Sequence, residues 1–509
     1  MPVINHSATA SLLVLAYLAI AITPGAVVAQ NDTEAIDIEI VYDKARIIQN
    51  EFRIEYSGEV IVEHYDDSSE EEKQEKEPRN EIPQPKAQSF PIEVKTRLDF
   101  SERLIGSPEK PQAVRHYGFS QAKILLNEKE MISELSEQND LIVTRIKSDE
   151  GNRYQIASVA DILQQKEYDL LRNPADSLSF INLFTKAGVR VGDRWAPHKD
   201  DLARFLSVDY VIDSNVEIEL KEVSTKNAIL HFKGQLRAEV DDTSTEIAMA
   251  GVAHYDREES MIRGLRVNLQ ENRRAAQIAP GFNGRTKIDC RRSITETIPQ
   301  LTNESLQAMS RSRSIRSLLK WRAESGQFEV TFEPSWRLIS AVDDGAILRY
   351  VDNGDLLTQC NIVRLPSRPA DKPLALADFE KEVAKVISKD PNSRVVSAQE
   401  GLTTAGVRAM RILVAGVEKE LPVNWIYYNL SSPDGRQVTF VFTAEEQVLG
   451  RIATASQNLV NGFSFRQVTN QQSVTGGSLP KHQPTSQPSN NRDSSSVSST
   501  AATGQEQIR

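Results

Sequence analysis

The sequence predicts an α+β protein: a large antiparallel β-rich region with a helical insert, followed by a smaller α/β sandwich. Residues 216–223 (VEIELKEV) alternate apolar and charged side chains, which puts one face of a strand on a core and the other in water. Segments 227–240, 246–256 and 262–269 repeat that pattern at short intervals, with polar turns between them, as an antiparallel meander does. Beyond residue 326, amphipathic helical patterns come between the strands, the order of an α+β sandwich.

The elements follow in chain order. Residues 12–22 (LLVLAYLAIAI) form an apolar run closed by Thr23, Pro24 and Gly25, and Val27 and Ala29 suit the subsites of signal peptidase. The expectation is a signal peptide over 1–29, cleaved before Gln30, and a secreted or periplasmic chain. The run is shorter than the roughly 20 residues that span a bilayer, so no transmembrane anchor is expected after signal removal. The β-rich domain is expected over 30–293, with early strands at 52–56, 60–62, 92–100 and 141–146. Residues 66–79 (DDSSEEEKQEKEPR) carry seven acidic and three basic side chains and no apolar one. Burial cannot offset the ordering entropy of such a run, so it reads as a solvated loop. Helices are expected at 159–171 and 177–186, the second with Asp176 as N-cap and Gly188 as its stop.

Residues 294–325 read as a basic linker helix carrying Arg311, Arg313, Arg316, Lys320 and Arg322. Its cations suit a solvated face; the competing reading is a dock for an anionic partner. The second folded unit is expected over 326–466. It opens with strands at 328–332 and after Trp336, then a hairpin of 346–351 and 357–363 turning at Asn353-Gly354. A helix follows with Phe379, Val383, Val386 and Ile387 on one face. Strands at 407–414, 423–430 and 437–442 come next, the last pair joined by a turn at Pro433-Asp434-Gly435. Thr443 to Glu446 (TAEE) reads as a capping box opening a final helix, with Val448, Ile452, Ala455 and Leu459 inward and Gly462 closing it. Residues 467–509 hold nine serines and no aromatic residue, the composition of a disordered tail.

The Pro-x-x-Trp-like turn at Pro334-Ser-Trp336, the hairpin, the helix, the strand containing Trp425-Ile-Tyr-Tyr428 and the helix ending in Phe463-Ser-Phe465 together resemble the PsbP-like fold. That family includes the extrinsic photosystem II subunit and bacterial DcrB-type envelope proteins. The resemblance covers 326–466 and implies a binding or assembly module; it carries over no functional residue. The region upstream is distantly similar to the half-barrel envelope proteins of the LolA type, on export, antiparallel strands and a helical insert.

Composition bounds the chemistry. With 509 residues, two to four folded units are expected at about 100–200 residues each. A net charge of −11 excludes a chain-wide nucleic-acid surface, and two cysteines exclude a disulfide framework and a Cys-based zinc site. None of the seven histidines sits in an H-x-x-x-H pattern, and phosphate-cradling glycine motifs and the G-x-S-x-G elbow are absent. His254 and Asp256, with His231 as a cross-strand neighbour, form the nearest approach to a metal or acid–base cluster; the bland reading is a polar face and turn. Trp336 and Trp425 read as core, Trp195 as the start of a strand, and Cys290 and Cys360 as separate buried thiols. No catalytic, cofactor-binding or metal residue is therefore assigned. The reading is an exported non-catalytic binding or assembly protein whose ligand is a lipid, peptide or envelope protein; the alternative is an exported hydrolase with a dispersed carboxylate/His site.

Overall fold

The computed structural model describes residues 35–64, 86–107, 110–146, 154–240, 243–275, 280–312, 317–352, 355–388, 392–418 and 421–466. The expected signal peptide, acidic loop and tail lie outside these residues.

A 13-stranded antiparallel sheet dominates the first 295 residues. In spatial order it runs Arg194–Trp195, Glu217–Val223, Asn227–Val240, Thr243–Asp256, Met261–Arg273, Gly281–Thr295, Ile47–His64, Lys86–Ser107, Lys110–Leu126, Leu141–Ile146 and Tyr154–Ser158. Tyr210–Ser214 also pairs with Asn227–Val240, and Lys129–Glu134 with Lys110–Leu126. The sheet is open, not a closed barrel, and bulges at Leu220/Glu222, Asp99/Phe100 and His254/Tyr255 bend its strands. At Gly234 the strand 227–240 passes from one partner to the other. A Cβ there would stand 2.5 Å from the Val216 Cα, so only glycine permits the approach.

The inward face, with Leu230, Phe232, Leu265, Val267 and Ile288, is covered by a helical layer: α1 (Gln165–Leu171), α2 (Phe180–Leu183) and α3 (Lys199–Leu206). Phe184 and Phe205 meet Phe232 at centroid distances of 5.7 and 6.1 Å. The expected helix over 159–171 is shorter, because residues 163–164 are a strand and the chain turns helical only where Glu167 closes a capping box on Gln164. Over 177–186 the helix stops at Leu183. Lys186–Val189 instead pairs with Ile36–Ile38, and Gly188 donates to the Asp37 side chain at 2.7 Å instead of capping a helix. Asp176 does cap this segment, accepting from the Leu178 amide at 3.0 Å. The periodicity does not reveal α3; two turns are too few to show a 3.6-residue repeat.

Residues 294–325 are not one linker helix. α4 (Asn303–Ser312) is helical, but Leu319–Arg322 is a strand. That strand pairs antiparallel with Phe328–Phe332, which pairs with Phe463–Phe465, and it pairs parallel with Leu163–Gln164 of the helical layer. This four-stranded sheet joins the two regions, and the chain to Arg466 forms one unit by its internal contacts.

The second large sheet has seven antiparallel strands in the order Trp336–Val342, Gly345–Asp352, Asp355–Leu365, Gln437–Glu445, Leu421–Ser431, Arg408–Glu418, Arg394–Leu402. α5 (Leu376–Ile387) covers Met410, Ile412 and Val414 on one face; α6 (Leu449–Asn461) lies over the opposite face, which carries Ile426, Phe440 and Phe442. On α5, Phe379 and Val383 are buried, whereas Val386 points to solvent at 60% exposure. The expected capping box at 443–446 does not form. Thr443 is hydrogen-bonded into the ladder between Gln359 and Trp425, so the strand continues to Glu445 and α6 begins at Leu449. Ile452, Ala455 and Leu459 do face inward, and Gly462 closes the helix. The fold is thus α+β and mostly sheet, as the sequence predicts.

Candidate functional site

Inward side chains along Met261–Arg273 read Leu265, Val267, Leu269, then Glu271 and Arg273. The apolar residues lie beneath the helical layer. The charged pair stands where that layer ends, at a cavity of about 430 Å³. Its sheet side is Tyr56, Ile247, Leu269 and Thr286; its helical side is Arg172, Leu206, Ser207 and Val208.

Each polar group is held in place. Glu271 Oε1 accepts from the Thr245 hydroxyl at 3.1 Å and lies 3.4 Å from Arg273 Nε. The Arg273 guanidinium also sits over the Phe282 ring at 6.0 Å. Opposite, Arg172 donates to the Ser207 carbonyl at 3.2 Å and lies 3.9 Å from Asp209. Ser207 ends α3 in the left-handed region (φ 57°), which turns Val208 into the cavity wall. Burial, with Glu271 nearby, pushes the Tyr56 phenol up, and Arg273 opposes this only in part; the hydroxyl stays protonated as a donor. The cavity sets Leu206, Val208, Ile247 and Leu269 beside the ionic side chains of Asp169, Arg172, Glu271 and Arg273.

A second polar centre is closed. Arg115 forms a bidentate pair with Asp176, both contacts at 2.7 Å, and reaches Glu102 at 3.2 Å. Arg292 bonds the other Glu102 oxygen at 3.0 Å and Asn50 at 2.9 Å. Arg115 and Arg292 lie over the Phe100 and Phe180 rings at 5.0 and 5.3 Å. Four adjacent strands and the start of the helical insert meet in this cluster. Its partners satisfy one another, so it fastens the insert to the sheet and leaves no room for substrate.

The histidine cluster of the sequence reading dissolves. His231 and His254 are diagonal neighbours on the exposed face of the sheet. Asp256 is buried in the turn, accepting from the Glu259 amide at 2.8 Å and pairing with Arg263 at 2.6 Å. Among the described residues no group of histidine, cysteine and carboxylate side chains is placed to hold a metal. Cys290 and Cys360 are separate buried thiols, and burial pushes both up, so neither is a thiolate nucleophile. Trp336 is core; Trp425 and Trp195 are half-buried. Of the basic stretch, Lys320 pairs with Asp161 at 2.7 Å and Arg322 with Glu329 at 3.5 Å. Arg313 and Arg316 lie outside the described residues, as does the side chain of Arg311.

The sequence reading missed both polar centres. The signal was available as charge at inward positions of an alternating strand, as in Leu269-Gln-Glu271 and Phe100-Ser-Glu102.

No family model matches the chain, and no curated protein matches it. Among solved structures, the cyanobacterial PsbP of Synechocystis is similar at 15% identity over 30% of this chain and 96% of its own, with a TM-score of 0.24. A protein of Bacteroides thetaiotaomicron is similar at 9% identity over 29% of this chain and 48% of its own, TM-score 0.21. A Pseudomonas aeruginosa protein of unknown function is similar at 11% identity over 30% and 98%, TM-score 0.20. The chain spans about half the length of the Bacteroides protein. TM-scores of this size define no family, and the DcrB-type and LolA-type resemblances gain no support from them. No helix among the described residues is long and apolar enough to cross a membrane.

Proposed function

We propose that this chain is an exported, non-catalytic binding or assembly protein of the cell envelope, and that it seats its ligand in the cavity between the inner sheet face and the helical layer. The observation that carries the reading is the change from Leu269 to Glu271 and Arg273 on one inward face, at the rim of a cavity of about 430 Å³. A lipid-like molecule with an apolar body and a compact polar end matches that gradient: the body lies on Leu206, Val208, Ile247 and Leu269, and the polar end meets Arg172, Arg273 and the Tyr56 hydroxyl. The region 326–466 is read as a PsbP-like module that contributes binding or assembly surface.

The test is native mass spectrometry of the full-length protein purified from its own envelope, beside a Leu269→Trp variant, with a hydrolase substrate panel run in parallel. A bound apolar molecule in the parent, absent from the variant, supports the reading. An empty parent protein, or turnover abolished by Glu271→Gln, overturns it, the latter in favour of the dispersed-site hydrolase.

A further inference from the structure

The outward face of the same sheet carries a second concavity, of about 730 Å³, where Tyr210–Ser214 and the meander strands meet. Two cross-strand rows line it. One is Gln235, Ala248, Gln270; the next is Arg237, Glu246, Asn272. Neighbouring strands stand about 4.8 Å apart and same-face residues about 6.8 Å along a strand, so the rows present a patch of roughly 10 by 7 Å.

The patch is rich in carboxamides. Elsewhere on this face, Arg266 pairs with Asp289 of the neighbouring strand at 3.0 Å, and Arg291 lies 3.8 Å from the same carboxylate. In the concavity Arg237 is likewise paired, with Asp213 at 2.6 Å. The side chains of Gln235, Glu246, Gln270 and Asn272 bond to no other described residue, and all four are exposed. Three carboxamides supply donors and acceptors together, Glu246 supplies acceptors, and Ala248 leaves the floor low.

We propose that this concavity is a binding site for a neutral, hydroxyl-rich ligand of the oligosaccharide class, separate from the inner cavity. Sugar hydroxyls donate and accept at once, as carboxamides do, and the patch matches the footprint of about two pyranose rings. Asp213, Glu246 and Arg237 leave a net negative charge, which disfavours phosphate or polyanionic ligands.

The test is isothermal titration of the full chain with maltohexaose, cellohexaose and chitohexaose. The Gln270→Ala/Asn272→Ala double variant is compared with Arg266→Gln, a control on the same face outside the patch. Thermal midpoints confirm that both fold, as exposed substitutions should. Saturable binding of at least one probe is expected, weakened tenfold or more by the double variant and within twofold of the parent in the control. No saturable binding by any of the three probes overturns the proposal. So does binding that the double variant leaves intact.

Discussion

The two large sheets bury different kinds of group. In the 13-stranded region the buried side chains include Glu102, Arg115, Glu167, Asp209, Asp256 and Arg292. Beyond residue 295, the buried polar side chains among the described residues are all neutral: Thr358, Thr403, Asn424, Asn429, Gln437 and Ser456. There the core is aromatic, with Trp336, Phe440, Phe442 and Phe463 in edge-on or stacked contacts at 5.7 to 6.5 Å. The helices that cover the seven-stranded sheet lie on it through apolar stripes, and their polar contacts, such as Arg451 with Asp352 at 3.1 Å, are exposed. The helical layer of the larger sheet contains short pieces, α2 being only four residues long. Helices of that length bury little surface each, and Asp176 and Ser177, held by Arg115, supply the positional specificity that packing does not.

The sharpest way to break this contrast is at the seam. Leu319 and Trp321 are buried, and Trp321 meets Phe328 edge-on at 5.6 Å. Burying two such side chains contributes about 1.5–3 kcal/mol each. A fragment of residues 317–466 is expected to melt cooperatively, and one of 326–466, the boundary the sequence suggests, to lose most of that transition in calorimetry. Equal midpoints would place the boundary after the strand at 319–322.

Within the first region, Arg115→Ala strands the Asp176 carboxylate and leaves Glu102 to Arg292 and Ser177. The expected cost is about 3–5 kcal/mol by denaturant titration. A cost below 1 kcal/mol would mean that water reaches the cluster. In the second region, Cys360→Ser sets a hydroxyl beside the buried Phe442 and Leu348, within hydrogen-bond reach of the Val441 backbone, and about 1–3 kcal/mol is expected. The smallest effect is electrostatic. Burial pushes the Asp161 carboxyl up, but the Lys320 hydrogen bond and charge outweigh it and hold the group below its usual value. A depressed carboxylate adds stability above its unfolded pKa and loses it as pH falls through the folded one. The parent and Asp161→Asn should therefore differ at pH 6, by under about 1 kcal/mol for so exposed a carboxylate, and converge as pH falls through the depressed value of Asp161. A difference that persists at low pH would assign the effect to packing.

Much of this architecture was legible because a half-buried strand announces itself by alternation. Residues 227–240 and 141–146 form strands at the bounds the pattern predicts. Arg394–Leu402 escaped because it is an edge strand with little buried on either face, and Gly281–Thr295 because its buried inward positions include Gly284, Thr286 and Arg292, which break the apolar alternation. Short helices under a sheet carry no readable period. The inner cavity was invisible for a different reason: it lies between residues as distant as Tyr56, Ser207 and Thr286, which only the strand register brings together. What the sequence did contain, charge at an inward position, becomes meaningful only once the inward register is known.

The inner cavity as a seat for an apolar ligand is tested most directly by titrating the full-length protein with 1-anilinonaphthalene-8-sulfonate. Its aromatic body and single anionic end match the floor and the Arg172–Arg273 rim. The account predicts one saturable site per chain, weakened at least tenfold by Leu269→Trp with the melting midpoint unchanged. Binding that fails to saturate, or that the tryptophan leaves untouched, would contradict it.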